Sequence, residues 1–360
     1  MLLIVAARAG ADAQPSPRPG SGQAKPGAAQ SAGVERRLLE AVRRNPENFD
    51  AQYQLASFYL QQGKLKTALP HLERAHAINP ADYSSGHDLA LALLETGKLD
   101  EARALIVQMM TAEDTAELHN LLADVDERGG NLLGAADEYQ RAAHMDPTEE
   151  HLFDWGDNLL QLHAYEEATQ VFTAGIERHP ASARLHVGLG IAQYSRGRHE
   201  DAVKSFCQAA DLAPSDPRPY QFLGEMYGVV PALGGEISSR LARFANAHPR
   251  NALAQFHYAM SLWKGQPAPP TDLRQVETLL RRAVTLDPKL AKGFLELGIL
   301  LSDQQRFREA IQQLQAAARL EPDLAQAHYR LAQAYQRTGQ KTLADKELEI
   351  FERLSSRTPQ

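Results

Sequence analysis

Apolar residues along this chain recur at spacings of three and four, in blocks separated by short polar turns, and the blocks themselves repeat. Across 49–82, Leu55, Ala56 and Tyr59, then Leu65, Ala68, Leu72, Ala75 and Ile78, trace two stripes divided at Gly63 and closed by Pro80. Such spacing puts each set on one face of a helix. The same roles return at Leu297, Gly298, Leu301, Phe307, Ala310, Leu314, Ala317, Leu320 and Pro322. Pro46, Pro80, Pro147, Pro180, Pro214, Pro249, Pro288 and Pro322 stand 34, 67, 33, 34, 35, 39 and 34 residues apart, and the long step is two periods whose shared boundary carries Asp114. A fixed period in the thirties predicts stacked supersecondary units. Gly63, Gly97, Gly197 or Gly339 between stripes supplies the positive φ of a tight turn. The periodic proline ends the second helix, because the residue before it is pushed out of the α region. Ala68, Ala102, Ala168, Ala202 and Ala310 fall where two helices must approach closely. Each period therefore reads as helix–turn–helix.

This pattern resembles the tetratricopeptide repeat family over residues 34 to 354. The resemblance implies an all-α fold, a right-handed α-solenoid of tandem helix–turn–helix hairpins. Full units read as 49–82, 83–115, 116–148, 149–182 and 183–216, an array of five, and as 291–324 and 325–354 at the C-terminal end. Between them, 217–290 reads as two degenerate repeats with loop insertions, at Gly228–Gly235 and at Gly265–Thr271. These insertions read as neutral loop drift or as a bend or ligand-contacting loop. Residues 34–48 read as an N-terminal capping helix and 355–360 as a tail. Pro70 lies near the first turn of a second helix, where a missing donor is tolerated. His163 stands where other units have the turn glycine, and Gly175 where they have a small alanine.

The N-terminus differs in kind. Residues 1–13 resemble a secretory signal clipped at its front: a short apolar run from Met1 to Ala7, no basic residue before it, and Ala11-Asp12-Ala13 ahead of Gln14. Residues 14–33, rich in Pro, Gly, Ala and Ser, read as a disordered linker. A signal would place the protein in the periplasm or outside the cell; an ordinary tail would leave it cytoplasmic. No stretch approaches the roughly 20 apolar residues of a membrane span. A single cysteine, Cys207, excludes an internal disulfide framework. It is expected half-exposed and inert, since equivalent positions hold Glu73, Gln140 and Gln315.

Charge is distributed unevenly. The net charge is −7, but 112–170 holds 15 acids against Arg128 and Arg141, a local −13 that leaves about +6 elsewhere. Such asymmetry selects partners. In the family, the first helix of each unit lines a concave groove. Carried over by register, the acidic groove candidates are Asp88, Glu95, Glu117, Asp124, Glu127, Glu150, Asp154 and Asp157. The aromatic candidates are Phe153, Tyr194, Phe222, Phe256 and Trp263, with Arg184, Arg218, Lys264 and Arg330 nearby. A solvated surface for the acids and core positions for single aromatics are the competing readings. Chaperone-binding members grip a terminal carboxylate with lysine, asparagine and arginine. The matching positions here are Tyr53, Ser57, Asp88, Glu117 and Leu121, so that clamp is absent.

A search for chemistry returns nothing. There is no His-Glu-x-x-His, no phosphate-binding glycine motif and no nucleophile elbow. His119, His186 and His328 share one repeat position, which reads as packing rather than metal ligation. Carboxylates along an open groove lack the desolvated pocket that acid–base work needs. The dominant charge is of the wrong sign for nucleic acid. The expectation is a non-catalytic protein–protein interaction scaffold without cofactor or metal. It would hold a peptide or partner helix with basic and apolar parts. The alternatives are a structural subunit of an envelope assembly, homo-oligomerisation through Leu348, Ile350 and Phe351, or a regulatory module for an enzyme encoded elsewhere.

Overall fold

The computed structural model describes residues 28–265 and 273–356. The signal-like segment 1–13, most of the 14–33 linker, most of the 265–271 insertion and the last four residues lie outside the described residues. Nineteen α-helices and no strand occur among those described.

The chain divides at Arg196/Gly197 into two compact units. The first holds α1 (Ala28–Arg44), α2 (Phe49–Gln61), α3 (Leu65–Ile78), α4 (Tyr83–Glu95), α5 (Leu99–Met110), α6 (Ala116–Arg128), α7 (Leu132–Met145), α8 (Glu149–Gln161), α9 (Tyr165–Arg178) and α10 (Ala183–Ser195). The second holds α11 (His199–Leu212), α12 (Pro217–Glu225), α13 (Gly234–Ala247), α14 (Ala252–Trp263), α15 (Arg274–Leu286), α16 (Ala291–Asp303), α17 (Phe307–Leu320), α18 (Ala325–Arg337) and α19 (Lys341–Ser355). Within each unit, consecutive helices pack as antiparallel hairpins, giving the α-solenoid that the periodicity predicts.

The repeat is built from a few local devices. Seven first helices start at a side-chain cap, where Asn48, Asp82, Thr115, Thr148, Ser182, Asp216 and Asn251 each accept from a backbone N–H of the first turn; α16 and α18 start at Leu290 and Leu324 without one. Such caps are worth about 1 kcal/mol each. The turn to the second helix needs one left-handed residue, supplied by Gly63, Gly97, Gly130, Gly197 and Gly339. His163 (φ 59°) and Gln305 (φ 62°) take the same conformation without being glycine. In three repeats the carbonyl of the periodic proline meets a side chain six residues later. Gln52 Nε2 donates to Pro46 O at 2.8 Å and Tyr220 Oη to Pro214 O at 3.2 Å; His328 Nε2 lies 3.0 Å from Pro322 O.

Close packing follows from the small residues. Ala68, Ala102, Ala168, Ala202 and Ala310 are all fully buried. Beside them lie Leu72, Ile106, Phe172, Phe206 and Leu314, each at most 1% exposed. Full burial of one such side chain is worth about 1.5–3 kcal/mol.

Two features differ from the sequence reading, the start of the capping helix and the burial of Cys207, and a third gives the expected break at 228–235 its form. The capping helix begins at Ala28, not at residue 34, because Ala28, Ala29, Gln30 and Ala32 are strong helix formers. Tyr59 Oη donates to Glu35 and ties this helix to α2. Helix α12 is only nine residues long and gives way to a 3-10 turn at Pro231–Leu233, where Gly228 takes φ 77°. Finally, Cys207 is 3% exposed rather than half-exposed: it lies next to Phe206 on the buried side of α11, and burial pushes its thiol up to about 11.

Candidate functional site

In the first unit, side chains of successive first helices bond to one another one period apart. Tyr53 Oη on α2 donates to Asp88 Oδ2 on α4 at 2.9 Å. Arg128 on α6 pairs with Glu95 on α4 and donates to Leu94 O at 3.2 Å. Asn120 Nδ2 on α6 donates to Asp154 Oδ2 on α8 at 3.2 Å, and Gln161 Nε2 on α8 donates back to Glu127 Oε1 on α6 at 2.9 Å. From α10, Arg184 reaches Asp154 Oδ1 at 3.2 Å while its guanidinium lies 3.9 Å from the centre of the Phe153 ring. These contacts form a polar ladder across all five of the unit's first helices.

One rung comes from a second helix. Tyr139 on α7 fills the core slot that holds Leu72, Ile106, Phe172 and Phe206 in other repeats, and is 2% exposed. Its hydroxyl lies 2.6 Å from Asp124 Oδ1 and 3.0 Å from Glu127 Oε2. Sequence reading missed this residue, although it is a phenol in an otherwise aliphatic or phenylalanine slot, opposite an aspartate.

Carboxylates outnumber cations on this face. Burial, joined by the charge of Asp154, pushes the Asp124 carboxyl up to about 7; its bond from Tyr139 pulls the other way. Burial pushes Asp154 up to about 6 against the opposing pull of Arg184 and Asn120. Burial and the charge of Asp124 raise the Tyr139 hydroxyl well above its ordinary value. Asn120 Oδ1 and Arg184 Nε are buried with no hydrogen-bond partner among the described residues.

The structure sorts the predicted residues into three groups. Glu95, Glu117 and Glu150 are exposed. Asp124, Glu127, Phe153, Asp154, Asp157 and Tyr194 are half-buried on the first helices of the first unit. The third group corrects the reading. Asp88 is 8% exposed and held by Tyr53; Phe222 and Phe256 are core residues at 3% and 6% exposure. Phe222 stacks on Phe206 with ring centres 4.7 Å apart. Asp88 is held against Tyr53 of the neighbouring first helix, and Phe222 against Phe206 of α11. Trp263 is half-buried in the second unit, with Lys264 Nζ 4.7 Å from its ring. Phe222, Phe256 and Trp263 thus belong to a different unit from the acids.

Of the shared-position histidines, His119 and His328 are buried and His186 is half-buried. His119 Nε2 lies 3.0 Å from Asp114 Oδ1 and its Nδ1 2.5 Å from Glu138 Oε2; His328 Nδ1 lies 2.6 Å from Glu347 Oε2. No group of three or more His, Cys, Asp or Glu among the described residues could hold a metal ion. No helix of these residues is long and apolar enough to cross a membrane.

Comparison with known sequences fixes the family. Three models described as tetratricopeptide repeat match residues 38–69, 59–125 and 153–217, and one described as TPR repeat matches 300–339. The chain belongs to the tetratricopeptide repeat family. Tetratricopeptide repeat proteins act in the main as non-catalytic scaffolds for contacts between proteins. The chain is similar to the human Protein O-mannosyl-transferase TMTC1, 25% identical over 166 residues, 44% of this chain and 19% of that protein. It is also similar to the Protein CTR9 homolog of Arabidopsis thaliana, 24% identical over 280 residues, 71% of this chain and 24% of that protein. It therefore spans a quarter or less of the length of these curated relatives. Among solved structures, the C-terminal part of a TPR repeat-containing protein from Cytophaga hutchinsonii superposes with TM-score 0.55 at 13% identity, covering 68% of this chain and 99% of that one. That likeness is one of fold.

Proposed function

We propose that this tetratricopeptide repeat protein holds an extended peptide or partner helix on the first-helix face of its first unit, and that the bound segment carries basic residues beside apolar ones. One observation carries this reading. Glu117 and Glu150, at the same position of adjacent repeats, are exposed and make no hydrogen bond among the described residues. On the same two helices Asp124, Glu127, Asp154 and Asp157 are half-buried, while the nearby arginines Arg128 and Arg184 are already paired. An unneutralised carboxylate surface attracts cationic segments and speeds their encounter. Phe153, half-buried under the Arg184 guanidinium, offers an aromatic face of the kind that anchors interfaces. The carboxylates of the ladder position the face; the exposed glutamates meet the partner.

The test uses a fluorescein-labelled peptide of mixed Arg and Leu and the full-length protein. Anisotropy should report binding that weakens steadily as salt rises from about 50 mM to about 0.5 M, because exposed charges are screened within about a Debye length. Binding that ignores salt contradicts the proposal.

A second reading, self-association, is favoured by α19. Of its fifteen residues only Ala344 is buried, Leu343 is 43% exposed, and Leu348, Ile350, Phe351 and Leu354 are half-exposed. Light scattering separates the two: a monomer that binds the peptide leaves the first reading standing alone.

A further inference from the structure

A hydroxyl carries one hydrogen, yet Tyr139 Oη meets two carboxyl oxygens, Asp124 Oδ1 at 2.6 Å and Glu127 Oε2 at 3.0 Å. With both carboxyls ionised, the hydrogen serves one of them and the other faces lone pairs. A proton on either carboxyl removes that conflict, since the acid then donates to Oη while Oη donates onward. We infer that Asp124, Tyr139 and Glu127 share one extra proton, taken from solvent and returned to it as pH rises, so that this face carries a proton-linked charge. The step is a simple ionisation: a carboxyl O–H breaks, its proton passes to water, and no other bond changes.

The surroundings favour the protonated form. Asp124 faces Glu127 and Arg128 from its own helix, Tyr139 from α7, and Asp154 from α8. Arg128 is turned to Glu95 of α4, and Arg103 of α5 is bound to Asp126 at 2.6 Å. Arg184 of α10 answers Asp154. Among the described residues, no arginine or lysine forms an ion pair with Asp124. Burial together with the charge of Asp154 places its carboxyl at about 7, so the change falls near neutrality. A raised carboxyl value means the folded state binds the proton more tightly than the unfolded chain. The stability it brings is present in full below about 4 and lost as pH rises through about 7.

The consequence for binding, weaker hold on a cationic segment in acid, rests on the proposed function; the titration itself does not, so the two fail separately. Aspartate-labelled full-length protein is titrated by carboxyl-carbon NMR, with Asp124→Asn assigning the resonance. The expected midpoint for Asp124 lies between about 6 and 8, and Glu127→Gln lowers it by removing the neighbouring charge while supplying amide hydrogens. A midpoint below about 5 overturns the inference. So does a high midpoint unmoved by Glu127→Gln, which would leave burial alone as the cause. As a second readout, Asp124→Asn should melt above the wild type at pH about 8 and lose that advantage at pH about 5. An advantage independent of pH counts against the shared proton.

Discussion

Gly188 on α10 and Phe172 on α9 are fitted to each other: a Cβ at residue 188 would stand 2.4 Å from Cζ of the ring. A Cβ at Gly156 on α8 would meet the same ring at 2.6 Å. Phe172 is fully buried, so the ring has nowhere to retreat. Gly188→Ala should therefore destabilise the protein by about 1–3 kcal/mol, the usual cost of overpacking. Adding Phe172→Leu, the residue found at equivalent positions 72 and 314, should recover part of that loss. Urea unfolding of the two single variants and the double variant gives the coupling; strict additivity would contradict the fit.

Gln305 adopts φ 62° where most other hairpins place glycine, and it is exposed. A left-handed conformation costs a non-glycine residue about 1–2 kcal/mol, against about 0.5–1 kcal/mol of extra chain entropy for glycine. Gln305→Gly should raise stability by roughly 0.5–1 kcal/mol. His163→Gly should gain less, because His163 Nδ1 lies 2.6 Å from Tyr165 Oη and that contact is lost. Thermal melting checks both.

Acid acts on the second unit with the opposite sign to Asp124. Burial opposes ionisation of Glu277, but its bonds from Arg306 at 2.7 Å and Arg281 at 2.8 Å outweigh that and hold its carboxyl below the ordinary range. A depressed carboxyl contributes stability above its unfolded value, near 4.5, and loses it as pH falls through the folded value. Glu277→Gln should therefore lower the melting temperature at pH about 7 and make little difference at pH about 3. An equal effect at both would show that the ion pairs contribute nothing.

Cys207 should stay silent toward a disulfide reagent in the folded protein, since its thiol is buried and held far from the reactive thiolate. Full reactivity should appear only with unfolding. Rapid labelling under native conditions would mean that α11 opens locally.

How far the sequence could be read depended on what each residue answers to. Glycines at 63, 97, 197 and 339 and the buried alanines were legible because every repeat imposes the same backbone and packing demand on them. The groove was harder. Register alone separates neighbouring positions on a helix by 100°, too coarse to tell Asp88 and Phe222, which turn inward, from Glu117 and Glu150, which do not. Tyr139 escaped notice because it sits on a second helix, where the periodic pattern asks only for bulk. Its hydroxyl matters through Asp124 and Glu127, on another helix, and no local spacing records that pairing. Arg184 stands against the Phe153 ring, in keeping with its place beside the aromatics in the sequence, but its second contact, the bond to Asp154, is recorded by no local spacing.

The central claim, that the exposed acids of α6 and α8 receive a cationic segment, is tested most directly by relocating the charge. Glu117→Lys with Glu150→Lys reverses two exposed acids on this face, and Glu349→Lys with Glu352→Lys makes the same net change on exposed positions of α19. Binding of the Arg/Leu peptide should be lost in the first double variant, at least tenfold in Kd, and kept within about twofold in the second. Equal loss in both, or retention in both, contradicts the account.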